Sequence, residues 1–373
     1  MPQKSNRMRL FLNNIDWVLF ILTIATVIYG IFAIYSATRS LGTLTNVLIQ
    51  SIALCLGLVL MVVLSVFDYE QFGYLAKYLY IACIILLILV LIPGIGTIRN
   101  GARSWIVLGP FLLQPSELVK IGFIITFAYH LQKVEENVNH PLTLVGLLLH
   151  FGFIVGLILL QPDAGSAMVF AFIFICMIFI AKLSYKYIIP AVAIAGAALP
   201  LIYFFALSTY QKLRIDVFLH PESHPQSGGY SVIQSKIAVG SGQLWGKGYL
   251  QGTQNQMGAL TTKHTDFIFS TISEELGFIG ALVVLLLLFA IIFYCIRIAR
   301  RANTPFGKYI CIGVAAMFLF HTFENVGMCI GVMPVTGIPL PFISYGGSSL
   351  ITNMIAMGLV MNVSSRSRDT MFN

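Results

Sequence analysis

Charged residues make up only 10% of the 373-residue chain, so an acid or base set beside an apolar run is a candidate for chemistry. The longest interval without a membrane-length apolar run extends from Leu207 to Ile268 and closes on Asp266, at the mouth of an apolar helix. Asp216, Glu222 and Asp266 are the acids of this interval, and Arg214, Lys236, Lys247, Lys263 and His264 could surround an anion. A carboxylate among cations suits proton abstraction next to an anionic leaving group. The amino terminus of the following helix is expected to keep Asp266 ionised.

Other candidates fall within or between apolar runs. Glu117 and Lys120 are spaced i,i+3, so they share a helix face and can pair, either to lock helices together or to line a cavity. Asp163, in Gln161-Pro162-Asp163-Ala164-Gly165-Ser166, can cap the helix that follows it. His321 and Glu324 repeat the i,i+3 spacing and read as a structural polar contact, while His130 and His150 read as interfacial or satisfied core residues. Pro334, Pro339 and Pro341 precede Ser344-Tyr345-Gly346-Gly347-Ser348. That stretch cannot cross lipid as a regular helix, so it is expected to be re-entrant and to line a cavity. The chain has no Walker-type loop, no His-Glu-x-x-His and no nucleophile elbow. A diphosphate would be held by side chains, with or without a divalent cation such as Mg or Mn; no cofactor is certain, and no metal ligand is assigned.

The elements that must position these groups are membrane helices. Hydrophobic residues reach 58% and mean hydropathy is +0.89, against about 25% charged residues in an ordinary soluble domain. An all-α polytopic membrane protein is expected, with a first span from Trp17 to about Tyr35 and others near 46–67, 76–93, 115–131, 142–160, 166–182, 187–207, 267–295, 309–331 and 349–363. That makes ten spans in a single domain over 1–373, with a large external loop at 209–266 between the seventh and eighth and the re-entrant segment before the tenth. Thirteen basic residues (Lys4, Arg7, Arg9, Lys77, Lys133, Lys182, Lys186, Arg297, Arg300, Arg301, Lys308, Arg366 and Arg368) then fall on one side, and Arg39, Arg99 and Arg103 in short loops on the other. The bias puts both termini in the cytoplasm. A net charge of +8 spread between spans suits membrane lipids or an anionic lipid substrate rather than nucleic acid. The six cysteines lie in or at the edges of apolar runs and read as small buried hydrophobes. Within the long loop, Tyr230 to Val239 reads as a short interfacial helix.

Taken in order, several motifs resemble the SEDS family (shape, elongation, division and sporulation) along nearly the whole chain. They are Asn100-Gly101-Ala102-Arg103-Ser104-Trp105, Gln114-Pro115-Ser116-Glu117-Leu118-Val119-Lys120, Gln161-Pro162-Asp163 and Gln234-Ser235-Lys236-Ile237-Ala238. Toward the carboxyl end come His264-Thr265-Asp266-Phe267-Ile268-Phe269, Glu274-Glu275-Leu276-Gly277 and Pro339-Leu340-Pro341-Phe342-Ile343-Ser344-Tyr345-Gly346-Gly347. The His220-Pro221-Glu222-Ser223 loop and the Gly252-Thr253-Gln254 tract favour the family's rod-shape branch. The chain departs from the family pattern at Ser104, where relatives often carry a basic residue, and at Thr261-Thr262, where they often have Pro-Glu.

The resemblance implies a peptidoglycan glycosyltransferase of the bacterial cytoplasmic membrane, serving cell elongation. It would polymerise lipid II, an undecaprenyl-diphosphate-linked disaccharide peptide, at the outer face. It would work with a class B penicillin-binding protein transpeptidase and membrane proteins of the elongation complex. It makes Asp266 the catalytic aspartate and general base of an inverting transfer. Substrate contacts are expected from Arg103, Trp105, Gln114, Glu117, Lys120, Asp163, Arg214, Lys263, His264 and Ser344. Two other readings of the residues are a lipid II flippase or transporter, which also uses broken helices and midplane charges, and a non-catalytic scaffold for the transpeptidase.

Overall fold

A computed structural model describes residues 16–40, 42–99, 101–109, 111–224, 228–260 and 262–369. Lys4, Arg7 and Arg9, Asn100 of the tryptophan motif, and Thr261 lie outside the described residues. In chain order the elements are α1 (Trp17–Arg39), α2 (Thr45–Val66), α3 (Tyr69–Tyr74), α4 (Ala76–Leu91), β1 (Gly96–Arg99), β2 (Ala102–Leu108), β3 (Phe111–Leu113), α5 (Pro115–Lys133), α6 (Pro141–Leu160), α7 (Ala164–Ile180) and α8 (Tyr185–Leu201). They continue with α9 (Thr209–Leu219), α10 (Tyr230–Ser241), α11 (Thr253–Gln256), α12 (Ile268–Arg301), α13 (Pro305–Ile330) and α14 (Gly347–Asp369).

Seven of these helices are long and apolar enough to cross a membrane: α1, α2, α6, α8 extended through Phe205, α12, α13 and α14. The other three expected spans correspond to α4, α5 and α7, of 16, 19 and 17 residues. Length and apolarity alone therefore count seven rather than ten. The apolar windows of α13 and α14 are 72% and 83% buried, against 22% for α2 and 17% for α6. The first pair forms the centre of the bundle and the second faces outward. α5 belongs with the centre, since its side chains from Val119 to Ala128 are buried throughout.

The helical fold carries one departure from an all-α chain. The connection after α4 folds into an antiparallel three-stranded sheet in the order β1-β2-β3. Thr97 pairs with Trp105, but its neighbour Ile98 pairs with Arg103. Ser104 is thus the extra residue of a β-bulge, which breaks the alternation of faces and re-aims the side chains beside it.

The long interval before Asp266 is also largely ordered into α9, α10 and α11. The helix expected at Tyr230–Val239 runs to Ser241 and docks firmly. Its Ser235 Oγ lies 2.6 Å from Ser270 Oγ of α12 and donates to the Cys329 carbonyl of α13 at 2.7 Å. At the other end of the chain, Gly331, with φ +77°, stops α13, and the prolines that follow forbid another helix. Segment 332–346 turns inward and buries Ile338, Leu340, Phe342 and Ile343. A side chain at Gly30, midway along α1, would meet the Phe342 carbonyl and Ile343 Cα at 2.7 Å, so the segment reaches well inside the bundle.

Candidate active site

The sheet, the amino ends of three helices and the inward segment enclose a cavity of about 400 Å³. Trp105 reaches it from β2, Gln114 and Glu117 from the start of α5, Asp163 from the start of α7, and Arg214 from α9. His264, Thr265 and Asp266 form one wall, facing Thr336, Gly337 and the Tyr345–Ser349 turn. Helices α5, α7 and α14 all begin at this cavity, and unpaired amides with the positive ends of helix dipoles favour anions there.

Asp266 is fixed by its backbone. Its carbonyl accepts from Asn325 Nδ2 at 2.9 Å, and its N–H donates to the Thr262 carbonyl at 3.1 Å. The preceding Thr265 carbonyl accepts from Ser344 Oγ at 2.7 Å, and the His264 carbonyl accepts from the Tyr345 N–H at 2.9 Å. The inward segment is tied in turn to α2, where Gln50 donates to the Ser344 carbonyl at 3.2 Å and accepts from the Gly346 N–H at 3.1 Å. α13, α2 and the re-entrant stretch thus hold one side of the Asp266 loop.

The Asp266 carboxyl stays partly open to the cavity. Burial raises its pKa above the ordinary aspartate value, against the lowering effects of the Thr265 and Thr262 hydroxyls and the Arg214 guanidinium. The surrounding protein makes Asp266 a stronger base than a free aspartate. Burial and the nearby Lys263 lower the pKa of His264, which favours the neutral ring. Gly337 leaves room beside the carboxyl, since a Cβ there would lie 3.7 Å from Asp266 Oδ2.

Asp163 both caps α7 and lines the cavity. It accepts from the Ser166 N–H at 3.0 Å, the Ser166 hydroxyl at 2.7 Å and Gln114 Nε2 at 3.0 Å. Glu117 pairs through Oε1 with Lys120 Nζ at 2.7 Å, and its Oε2 has no hydrogen-bond partner.

Four expected contact residues do not line the cavity. Lys120 lies behind Glu117, 2.9 Å from His321 Nε2. Arg103 turns to the other side of the sheet and donates to the Leu91 carbonyl at 3.3 Å, while the bulge sends Ser104 and Trp105 inward. Lys263 points to Ser40 Oγ, 2.6 Å away, and to the Asn255 carbonyl. Ser344 supports the Asp266 loop from beneath. His321 and Glu324 do not contact one another as their spacing suggested: His321 turns to Lys120 and the Pro339 carbonyl, and Glu324 accepts from Thr336 Oγ at 2.7 Å. His130 and His150 pair with each other, Nδ1 to Nδ1 at 3.2 Å.

Of the other residues that line the cavity, Ser104 and Thr262 stood out in the sequence only as departures from the family pattern and Thr265 only within the Asp266 motif, while Gln211, Thr336 and Gly337 carried no local signal. Among the described residues no group of three or more His, Cys, Asp or Glu side chains could hold a metal ion.

The family described as cell cycle protein, FtsW/RodA/SpoVE, matches residues 16–369. The chain belongs to this family. Peptidoglycan glycosyltransferase MrdB of Escherichia coli strain K12 is 38% identical over 353 residues, covering 94% of this chain and 93% of the relative. Stage V sporulation protein E of Bacillus subtilis strain 168 is 35% identical, covering 95% and 98%. A chain from a study of how a peptidoglycan synthase complex coordinates polymerization and crosslinking superposes with a TM-score of 0.81 at 33% identity, covering 95% and 98%. Rod shape determining protein RodA of Thermus thermophilus superposes with a TM-score of 0.69 at 31% identity, covering 94% and 96%. Matches of this extent make the FtsW/RodA/SpoVE fold that of the whole described chain.

Proposed function

We infer that the chain is a peptidoglycan glycosyltransferase, the activity its relative MrdB carries in its name, and that its substrate is lipid II. The cavity opens beside a helical bundle of membrane length, as a lipid-linked sugar requires. The bundle would sit in the bacterial cytoplasmic membrane with both termini inside and the 209–266 loop outside. A class B penicillin-binding protein would cross-link the product. Cysteines introduced at Gly228 and Gln254 should then react with an impermeant reagent in intact cells, in a background without native cysteines, while those at Asn137 and Asn303 stay unlabelled. Labelling at Asn303 would overturn this topology.

In lipid II the sugar is α-linked to diphosphate, and in the glycan strand it is β-1,4 linked, so the transfer inverts the configuration. Asp266 takes the proton from the acceptor 4-hydroxyl as that oxygen bonds to the donor C1. The C1–phosphate oxygen bond breaks, and undecaprenyl diphosphate leaves with the electron pair. Arg214 and the amino ends of α7 and α14 face the charge that develops on the leaving group. Trp105 and Gln114 offer a ring face and an amide to the sugars, and Glu117 and Asp163 offer carboxylate oxygens to hydroxyls.

The observation that carries this reading is the partly open, desolvated carboxyl of Asp266 in a cavity shared with Arg214 and three helix amino ends. General-base catalysis contributes about 10²–10⁴ in rate. Asp266→Asn should therefore nearly abolish glycan synthesis from purified lipid II, with moenomycin present to block other polymerases, while lipid II still binds. A variant that binds normally and polymerises within about threefold of the parent excludes the base role. Loss of binding would make Asp266 a substrate ligand instead.

A further inference from the structure

A second set of acids lies on α12 about two turns beyond Asp266, and the proposed chemistry makes no use of it. Glu274 and Glu275 are 0% and 2% exposed. Glu274 Oε1 accepts from Lys247 Nζ at 2.8 Å, the Gln254 N–H at 2.9 Å and Thr253 Oγ1 at 3.1 Å; its Oε2 accepts from the Asn255 N–H at 3.1 Å. Glu275 Oε1 accepts from Asn255 Nδ2 at 2.8 Å, and its Oε2 from Ser36 Oγ at 2.5 Å and the Leu250 N–H at 3.1 Å. Every oxygen of the pair is engaged, and the donors come from α1, from α12's own approach loop and from α11.

The backbone here is arranged to bring these partners close. Gly277, at φ +66° and ψ −163°, interrupts α12, and a side chain there would lie 2.6 Å from the Leu244 carbonyl. The Lys247 and Gly248 N–H groups bond the carbonyls of Glu274 and Glu275, both at 3.0 Å. The loop from Gln243 to Asn255 is therefore laced to the first turns of α12.

From the two acids the connection runs toward the cavity. Asn255 is fully buried, and its carbonyl accepts from Lys263 Nζ, which also donates to Ser40 Oγ at the outer end of α1. Lys263 stands three residues before Asp266. Its neighbour Thr262 is held at φ +48°, a left-handed conformation costly for a β-branched residue. The Thr262 carbonyl collects the N–H groups of Thr265, Asp266 and Phe267 at 3.1, 3.1 and 3.4 Å. The strained turn that aims Asp266 is anchored on one side by Asn325 and Ser344 and on the other by Lys263.

We propose that Glu274, Glu275, Asn255 and Lys263 form a positioning relay that fixes the Thr262 turn and so sets the placement of Asp266 in the cavity. The proposal takes Lys263 out of direct substrate contact, and it rests on the reading of Asp266 as the base. A displacement of about 1 Å at a reacting group costs on the order of 10²-fold in rate. Loss of a relay member should thus lower kcat more than it raises KM.

The test uses the full chain in its transpeptidase complex, measuring kcat, KM, lipid II binding and Tm for Asn255→Ala, Lys263→Met, Lys263→Arg, Ser40→Ala and the Asn255→Ala/Lys263→Met double variant. Asn255→Ala and Lys263→Met should each lower kcat by about 10–100-fold with binding within about threefold. The double variant should be no worse than either single, since residues acting in series are not additive. Lys263→Arg, which keeps a cation and its donors, should recover most of the rate. Ser40→Ala, mild enough to fold if the buried variants do not, should lower kcat by about threefold, one hydrogen bond's worth. Parent-like kcat in Lys263→Met, or in Ser40→Ala where Lys263→Met does not fold, overturns the relay, as do multiplying effects in the double variant. Asp266→Asn, run alongside, separates the two readings: a dead Asp266→Asn with a parent-like Lys263→Met removes the relay alone, and an active Asp266→Asn removes the base.

Discussion

Two groups of acids stand in opposite conditions. Glu274 and Glu275 have every oxygen bonded and no access to the cavity. Asp266 and Glu117 line the cavity; one keeps part of its carboxyl open and the other has an oxygen without a partner. A buried polar atom left unpaired costs about 1–3 kcal/mol; Glu117 bears that cost at the cavity through its Oε2, and neither Glu274 nor Glu275 bears it at the loop root. The saturated acids organise backbone, and the unsaturated ones remain free to meet a substrate. Glu117 and Asp266 also differ from one another. Glu117 is neutralised by a buried ammonium at 2.7 Å, whereas the charge of Arg214 and two hydroxyls act on Asp266 against its burial.

The sharpest way to break this contrast is at Asp266. Asp266→Asn should lower polymerisation by about 10²–10⁴, far more than any change at the saturated pair. The pH dependence supplies a second readout. A base must be ionised, so the parent's turnover should fall as pH drops through the raised pKa of Asp266. The midpoint should lie above the usual aspartate range, and a midpoint at or below pH 4, near the ordinary aspartate value of about 3.9, would remove burial as the controlling influence.

Next in size is the buried ion pair. Lys120→Met strands Glu117 and leaves His321 with the Pro339 carbonyl alone of its two partners, a loss of about 3–5 kcal/mol where a buried pair is broken. Thermal stability in detergent and polymerisation should both fall, and Glu117→Gln should behave alike. Unchanged Tm and rate in Lys120→Met would make the ion pair dispensable to both fold and chemistry.

The smallest effect is expected at Arg103. Its guanidinium caps the Leu91 carbonyl outside the cavity, so Arg103→Met should cost about 1.5–3 kcal/mol of stability, the worth of a charged hydrogen bond. KM for lipid II should stay within about twofold. A large rise in KM with Tm unchanged would return Arg103 to the substrate.

Apolar run lengths and a sparse charge content were enough to specify a membrane helical bundle, because a buried backbone in lipid must satisfy its own hydrogen bonds and each span needs a minimum length. The i,i+3 spacing of Glu117 and Lys120 sufficed for their ion pair, since helix geometry is local. The proline-rich stretch before Ser344 likewise excluded a regular helix on local grounds. Which face each side chain presents was settled by tertiary structure alone. The bulge at Ser104 separates Trp105 from Arg103, the break at Gly277 brings the approach loop onto Glu274 and Glu275, and Ser40 and Asn255 draw Lys263 away from the cavity. The partners range from eight residues distant, as Asn255 is from Lys263, to 223, as Ser40 is, and no local spacing encodes where such partners will stand. The same holds for the Asp266 pKa: the helix that follows was legible in the sequence, but the burial that raises the pKa comes from packing the whole bundle around the cavity.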